Sequence, residues 1–464
     1  MEFKIPPISV PENNPFEFDA LDRKPSIEAL TSLIGALKGP FVLAIDSPWG
    51  TGKTTLIRIW KAFLESQNYL CLYLNAWETD FTTDPLVAFL GELEALKKNA
   101  GTRRRAFNNQ FNKAKKIATV LAKRALPAAG KIATAGLIDL DEFTEKALAE
   151  MSSDTIKDSV DAYLAEKDLI VRFRETLSKS ITTLQSEGKK DQLVVFVDEI
   201  DRCRPSFAVN LLERIKHLFN IENAIFVLGL DKGQLAVSLK AIYGGGLRTD
   251  EYLRRFFDLE FALPKPNTAA FTKNLFDRFG FDAFFSQRSH SELRDDSSQL
   301  VKTFNSLSDI FQLSLRAREQ CFTQIRVAML TTASNQYLHP LPLVTLVMLK
   351  IGAPDVYRRY ALESGSATDV TNYLRLLPGG DQLLNSHFGS VMEAHLISAK
   401  ADGYEKPPEI EAYSKLINDE SADQSTKERA KLVLSIVDNW HMRDRGPSFR
   451  YLINKIELAA KFTR

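Results

Sequence analysis

The chain has 464 residues, of which 44% are hydrophobic and 26% are charged, values typical of folded globular proteins. This composition excludes a disordered chain, a collagen-like repeat and a disulfide scaffold, and at about 100–200 residues per domain the length predicts two to three domains. Lysine and arginine number 60 against 59 acidic residues, so the net charge of +1 gives no general attraction to a polyanion.

The three cysteines, Cys71, Cys203 and Cys321, are far apart and show neither Cys-x-x-Cys nor paired histidine spacing. This pattern argues against structural zinc and a disulfide framework, and it predicts a reducing, cytoplasmic location. The first residues lack a basic segment followed by an apolar run, so we expect no signal peptide. The longest weakly charged stretch, residues 117–138, is interrupted by lysine, arginine and proline, so no transmembrane helix is predicted.

The predicted elements in chain order indicate an α/β fold. Residues 1–20 are rich in proline and are predicted to form an N-terminal arm, and the first helix is predicted to begin with Ser26 as its cap. Four short apolar runs do not alternate with polar residues, so they are predicted to be strands buried on both faces of a parallel sheet flanked by helices. These runs are residues 41–46, 69–75, 193–198 and 224–230, with 256–264 as a predicted edge strand.

The segment AIDSPWGTGKTTLIRIW, residues 44–60, combines a strand, a loop with two glycines and a helix start. This is the pattern of a phosphate-binding loop, whose glycines let successive N–H groups point at a phosphate. Lys53 is predicted to reach the β- and γ-phosphates, and the Thr54 hydroxyl to ligate Mg²⁺. Ser47 stands where the usual pattern has glycine. The predicted nucleotide-binding residues of the loop are Ser47, Pro48, Trp49, Gly50, Thr51, Gly52, Lys53, Thr54 and Thr55.

The segment LVVFVDEIDRCRP, residues 193–205, is an apolar strand that ends in two acids. Beside a phosphate-binding loop, Asp198 is predicted to hold Mg²⁺ through a water molecule, and Glu199 to act as the general base that polarises the attacking water. Two interpretations remain open for Asp201 and Arg202, which either couple the γ-phosphate to the helical lid or form a structural ion pair.

Other residues near these motifs admit two roles each. Trp49 and Trp77 could contact nucleotide, but buried aromatic packing is the preferred interpretation. Arg254 and Arg255 could act as arginine fingers on a neighbouring subunit. Cys203 is interpreted as a small buried side chain, because no histidine lies beside it to activate a thiolate.

Four segments together resemble the KAP P-loop ATPases, a family grouped with the STAND and AAA+ ATPases. The resemblance covers about residues 20–330 and rests on PWGTGKTT, on NAW at 75–77, on DEIDRCRPSFAVNLLERIKHLF at 198–219, and on VLGLDKGQLAVSLKAIYG at 227–244 with YLRRFFDLEFALP after it. It implies an additional-strand P-loop core in which Asp198 and Glu199 match the Walker B pair.

The resemblance also implies roles for two residues outside these motifs. Asp231 occupies a sensor-like position after the fourth strand, and SLRAREQ at 314–320 resembles a sensor-2 segment that would bring Arg316 to the γ-phosphate. Many family members carry transmembrane helices between the two motifs, whereas this insert is charged. The family's frequent Asp-Asp pair is Asp-Glu here.

The insert is strongly polarised in charge. Residues 97–131 contain 11 basic residues and no acid, and residues 139–168 contain ten acids and three lysines. The apolar residues Phe107, Phe111, Ala114, Ala118 and Leu121 recur at helical spacing. The basic half could bind nucleic acid, an anionic membrane surface or a partner protein, or it could be a solvated helical arm that pairs with the acidic half.

These features predict a five-part organisation and one principal function. The predicted parts are an arm (1–20), a first core segment (21–96), a charged helical insert (97–190), a second core segment (191–267) and a helical lid and C-terminal region (268–464). The predicted function is Mg²⁺-dependent ATP hydrolysis that drives a conformational or assembly switch with a protein partner or a second copy. By resemblance, the role is bacterial signalling or anti-phage defence. The alternatives are a nucleic-acid-stimulated ATPase that acts through the insert and a non-hydrolysing ATP-binding scaffold.

Overall fold

The structure is a computed structural model that describes residues 10–11, 13–82, 84–99, 105–125, 159–183, 190, 192–287, 296–332, 338–400, 407–442 and 449–457. Among these residues, those up to Lys265 form one compact unit and those from Pro266 onward form another. No helix in the described part of the chain is both long enough and apolar enough to cross a membrane.

The first unit contains a five-stranded sheet and the helices that pack around it. The strands are β1 (Phe41–Asp46), β2 (Leu70–Asn75), β3 (Leu193–Asp198), β4 (Ala224–Leu230) and β5 (Leu259–Ala262). The helices are α1 (Lys24–Ala36), α2 (Lys53–Ser66), α3 (Ala76–Thr79), α4 (Pro85–Asn99), α5 (Arg105–Ala125), α6 (Ser159–Thr182), α7 (Pro205–His217), α8 (Lys232–Tyr243) and α9 (Thr249–Leu253). A short 3₁₀ turn spans Ile200–Arg202.

The sheet has the strand order β2-β3-β4-β1-β5, and every neighbouring pair is parallel. Strand β4 therefore lies between β1, which leads into the phosphate-binding loop, and β3, which ends in the acid pair. This order confirms the additional-strand sheet that the resemblance implied. The predicted runs coincide with β1, β3 and β4, whereas β2 begins one residue later than predicted.

Helices cover both faces of the sheet, which is why its central strands consist almost entirely of apolar residues. Val42 and Ala44 of β1 face the core that is formed with helices α4 to α8, and Leu43 and Ile45 face the core formed with α1 and α2. All residues of β3 and β4 are buried. The helices thus protect the strands from water on two sides, as a parallel sheet requires.

The predicted serine cap of helix α1 is wrong. The helix begins two residues earlier, at Lys24, with Pro25 in its first turn, where the missing proline N–H costs nothing. The backbone N–H groups of Arg23 and Lys24 instead donate to the Asp19 carboxylate, at 2.7 and 2.9 Å. The capping acceptor therefore lies in the preceding turn, which residue spacing alone did not show.

Helices α5 and α6 belong to the charged insert and pack against each other. Phe111, Ala114, Ala118 and Leu121 of α5 are buried, as their helical spacing predicted. The Lys115 ammonium of α5 pairs with Glu94 of α4 at 3.0 Å, so this basic residue is engaged within the protein. The side chains of Phe107 and of residues 103–105, and the acidic residues between 139 and 158, lie outside the described part.

In the part that the structure describes, the secondary structure of the second unit is helical. They are α10 (Thr268–Arg278), α11 (Phe281–Ser286), α12 (Asp296–Ile310), α13 (Leu315–Leu330), α14 (Pro340–Gly352), α15 (Pro354–Leu362), α16 (Ala367–Leu376), α17 (Gly380–Leu384), α18 (His387–Ser398), α19 (Pro408–Asn418), α20 (Gln424–Met442) and α21 (Phe449–Glu457). Helix α14 is buried from Pro340 to Leu349. A helix that is apolar on all sides forms the centre of a bundle, so α14 is the core of this unit.

Candidate functional site

The site lies at the carboxyl edge of the sheet, where the loops after parallel strands converge. The phosphate-binding loop follows β1, the acid pair ends and follows β3, and Asp231 follows β4. Asn75 ends β2 opposite Asp198 in the strand register. The parallel order therefore gathers the predicted residues of the first unit at one edge.

The phosphate-binding loop depends on backbone conformations that favour glycine. Gly50 and Gly52 have φ values of 75° and 91°, in the left-handed region that other residues rarely adopt. Helix α2 begins at Lys53, so the free N–H groups of its first turn lie at the end of the loop. Backbone N–H groups and the helix dipole together favour a bound phosphate at this position.

Ser47 fits the loop although the usual pattern has glycine there. Ser47 is buried and has no positive φ, so its backbone does not require glycine. Its hydroxyl donates to the Thr51 hydroxyl at 2.7 Å, and the Thr51 hydroxyl donates to the Pro48 carbonyl at 2.8 Å. The serine thus adds a hydrogen bond that ties the two ends of the loop together.

Lys53 lies within the loop and close to several carboxylates. Its ammonium donates to the carbonyl oxygens of Ser47 and Pro48. Burial lowers the pKa of Lys53, and the nearby carboxylates oppose this effect in the order Asp201, Asp231, Asp198 and Asp46. A partly buried ammonium beside backbone carbonyls is placed to bind a phosphate oxygen.

Asp198 and Thr54 interact, although 144 residues separate them in the sequence. Burial raises the pKa of Asp198 to about 6, and two neighbours act in the opposite direction: the Thr54 side chain and the Glu199 backbone N–H, which donates to the carboxylate at 2.9 Å. The Tyr73 hydroxyl of β2 donates to the same carboxylate at 3.3 Å. Sequence reasoning missed Tyr73, because its contact depends on β2 being the neighbour of β3.

Gly229 of β4 is a second residue that sequence reasoning missed. A Cβ atom at this position would lie 2.8 Å from Asp198 Oδ1 and 2.4 Å from Ile57 Cδ1. Both distances are too short for a carbon atom. The absence of a side chain at Gly229 therefore lets Asp198 and helix α2 approach the strand between them.

We expect Gly229→Ala to displace Asp198 and Ile57, because the added methyl overlaps both. Overpacking of this kind costs about 1–3 kcal/mol, and chemical denaturation of the purified protein measures that loss. Gly91→Ala is the matched control. Gly91 lies in helix α4, and a Cβ atom added there would meet no atom within 4 Å. An unfolding free energy as high for Gly229→Ala as for the control would contradict the close approach.

Glu199 adopts a left-handed backbone conformation with φ of 62°. Its carboxylate pairs with the Arg202 guanidinium at 2.7 Å, across the 3₁₀ turn. Asp201 accepts a hydrogen bond from the Trp49 indole N–H. The ion pair after the strand thus forms between Arg202 and Glu199, and Asp201 contacts the phosphate-binding loop instead.

The preferred interpretation of Trp49 and Trp77 as buried aromatics is wrong. Their side chains are 47% and 51% exposed, in contrast to Trp60 of helix α2, which is fully buried. Trp49 lies in the loop and Trp77 in the short helix after β2, both beyond the covered part of the sheet. Both rings lie near the Arg202 guanidinium, at 5.9 and 5.6 Å from its carbon to the ring centroids.

Asp231 and Asp46 connect the loop region to helix α8. Asp231 is the N-cap of this helix, and its side chain accepts the Gln234 N–H at 3.2 Å. Asp46 accepts the Lys232 backbone N–H at 2.9 Å. Capping and electrostatic contact with Lys53 place Asp231 beside the loop, and its sensor role stays a prediction.

Arg23 is a third residue that sequence reasoning missed. It is 2% exposed, and its guanidinium donates to the Thr51 carbonyl of the loop at 3.2 Å and to the Pro264 carbonyl at 2.7 Å. It thus supports the loop from the side of the N-terminal segment. No motif marks this arginine, because its partners lie 28 and 241 residues away.

Arg316 and Arg318 differ in environment although both belong to SLRAREQ. Arg318 is 2% exposed and pairs with Asp309 at 2.7 Å, so it supports the packing of the second unit. Arg316 is exposed in the first turn of α13. Its predicted contact with the γ-phosphate stays a prediction.

The other residues that the sequence singled out lie in two kinds of environment. Arg254 and Arg255 are exposed. Cys203 is buried, and burial raises the pKa of its thiol to about 12.

The residues at this edge suit a nucleotide with Mg²⁺. Hydroxyl and carboxylate oxygens are the ligands that Mg²⁺ prefers, and Thr54 and Asp198, which interact with each other, supply one of each. One buried oxygen of Asp201 has no hydrogen-bond partner in the described part of the chain. A buried carboxylate oxygen without a hydrogen-bond donor fits a site that also binds a cation.

Comparison with known families agrees with this geometry. The family model described as the KAP family P-loop domain matches residues 23–329, which is more than half of the chain and includes the loop, the acid pair and Arg316. No curated protein gives a significant match.

Proposed function

The chain belongs to the KAP family of P-loop NTPases, and from this premise we propose that it binds ATP with Mg²⁺ and hydrolyses it. The observation that carries the proposal is that the phosphate-binding loop lies beside the acids after β3: the Trp49 indole N–H of the loop donates to Asp201, and Thr54, in the first turn after the loop, lowers the pKa of Asp198. These interactions join the phosphate-binding part of the site to the part that holds the acids.

In the proposed complex, the Lys53 ammonium donates to the β- and γ-phosphates instead of the loop carbonyls. The N–H groups around Gly50 and Gly52 donate to the phosphate oxygens. Thr54 and Asp198 are the proposed Mg²⁺ ligands. The bound ion would neutralise negative charge on the phosphates. Ser47, Pro48, Trp49, Thr51 and Thr55 complete the proposed nucleotide-binding loop.

Glu199 is the proposed general base. Its carboxylate accepts a proton from water as the water oxygen bonds to the γ-phosphorus, and the bond from that phosphorus to the bridging oxygen of ADP breaks. The products are ADP and inorganic phosphate. Glu199 follows the proposed ligand Asp198 directly, and its carboxylate is largely but not fully buried, with 14% of the side chain exposed.

Two further residues are proposed to respond to the γ-phosphate. Asp231 would act from the end of β4, and Arg316 would act from the first turn of α13 as a lid residue. ATP and ADP would then place these residues differently, and the helical second unit would transmit the difference to a protein partner or a second copy. A role in bacterial signalling or anti-phage defence is proposed by analogy with the family, since a fold alone does not set the biological role.

Steady-state phosphate release by the wild-type protein tests the proposal. We expect turnover with ATP and Mg²⁺ and no turnover after EDTA. EDTA removes the Mg²⁺ that Thr54 and Asp198 are proposed to hold, and without this ion its share of the phosphate charge is not neutralised. Replacing ATP with GTP tests whether the site prefers adenine to guanine. Added DNA or RNA should leave the rate unchanged, whereas stimulation would favour the nucleic-acid-dependent ATPase. Tight ATP binding without turnover would favour a scaffold and contradict hydrolysis.

A further inference from the structure

Arg202 contacts three residues that come from three different strand ends. Its guanidinium forms an ion pair with the Glu199 carboxylate after β3 at 2.7 Å. The same group lies near the rings of Trp49 after β1 and Trp77 after β2. A guanidinium within about 6 Å of an aromatic ring is attracted to its face.

These contacts restrict the position of an arginine that is only partly buried, with 29% of its side chain exposed. A surface arginine normally samples many rotamers, and that freedom weakens exposed ion pairs. Here two aromatic rings hold the guanidinium, and the Trp49 indole N–H also binds the neighbouring Asp201. The ion pair with Glu199 is therefore pre-organised.

Glu199 needs such support because its backbone is in an uncommon conformation. A glutamate with a φ of 62° is less stable than one in an ordinary region, and such residues persist where the surroundings hold them. Arg202, three residues later in the same turn, provides a fixed charge for the carboxylate.

We propose that Arg202, held by Trp49 and Trp77, is a positioning residue that places the Glu199 carboxylate to accept a proton from the water that attacks the γ-phosphate. The proposal rests on the proposed function, because it assigns Glu199 the role of base. It also connects the phosphate-binding loop to the base, since Trp49 belongs to the loop. A change in the loop on nucleotide binding would then reach Glu199 through Trp49 and Arg202.

Steady-state kinetics of Arg202 variants test this role. We expect Arg202→Ala to lower kcat at least about tenfold while KM for ATP stays within about twofold, because Arg202 acts on the base rather than on nucleotide affinity. Arg202→Lys should restore part of kcat, since it keeps the charge but loses the flat guanidinium. Arg204→Ala is the matched control. Arg204 lies two residues away, and its guanidinium pairs with Asp80 at 3.7 Å and donates to the Thr82 carbonyl at 3.2 Å.

Double variants separate positioning from general structural support. In a Glu199→Gln background, Arg202→Ala should cause no further loss of kcat, because the base that it places is already absent. Trp77→Leu should lower kcat alone and add nothing to Arg202→Ala. Circular dichroism and thermal unfolding of each variant confirm that it is folded.

Other kinetic results would contradict either the positioning role of Arg202 alone or the proposed function as well. Normal kcat in Arg202→Ala, or losses that multiply with Glu199→Gln, would overturn the positioning role and leave the proposed function intact. A higher kcat would show that the ion pair restrains Glu199, and this also overturns the inference. Absence of turnover in the wild type would overturn the proposed function and this inference together.

Discussion

Lys53→Ala should abolish measurable ATP binding. Lys53 is the basic side chain of the phosphate-binding loop, and its ammonium already lies against the loop carbonyls where phosphate oxygens would bind. Two charged hydrogen bonds to the β- and γ-phosphates contribute about 1.5–3 kcal/mol each, so their loss weakens binding by at least about 100-fold. Isothermal titration calorimetry with ATP and Mg²⁺ measures the change.

Lys61→Ala provides the control for this variant. Lys61 lies on the same helix, carries the same charge and pairs with Glu65 on the surface at 2.7 Å. We expect its ATP affinity to equal that of the wild type. If Lys53→Ala also bound ATP with wild-type affinity, the assignment of residues 47–55 as a phosphate-binding loop would be wrong.

Glu199→Gln should keep ATP bound and lower turnover by at least about 100-fold, the usual contribution of a general base. Glutamine has the same shape but cannot accept the proton, so binding and catalysis separate in this variant. Phosphate release and ATP affinity, measured on the same preparation, give the two quantities. The trapped ATP complex would also retain any partner that binds the ATP state, which mass spectrometry of a pull-down can identify.

An exposed glutamate outside the site serves as the reference for Glu199→Gln. Glu222 is exposed in the loop before β4, and Glu222→Gln should turn over ATP at the wild-type rate. Phosphate release by Glu199→Gln close to that of Glu222→Gln would move the base to another acid. Asp201 would be the next candidate, because it is buried in the turn after β3 and accepts a hydrogen bond from Trp49 of the phosphate-binding loop.

The parts of the site that depend on neighbouring residues in the chain could be predicted from the sequence. The phosphate-binding loop is one continuous segment, and its glycines, lysine and threonine act together within eight residues. The strands β1, β3 and β4 were also predictable, because central strands buried on both faces consist of uninterrupted apolar runs.

The supporting contacts could not be predicted, because they depend on which strands are neighbours. Gly229 and Tyr73 approach Asp198 only when β4 and β2 lie on either side of β3. Arg23 reaches the loop from an N-terminal turn that carries no motif. Trp49 and Trp77 are large and apolar, properties that favour burial on average, but they lie beyond the strand ends and are about half exposed.

The exposure of Trp49 and Trp77 makes the site suitable for optical measurements. They are two of four tryptophans in the chain, and they lie beside the proposed phosphate and base positions. Trp60 is fully buried between α2 and the sheet, so its emission should stay constant when the site changes. Intrinsic fluorescence can therefore follow nucleotide arrival and departure on the unlabelled protein, and Trp49→Phe and Trp77→Phe variants would assign the signal to the loop or to the end of β2.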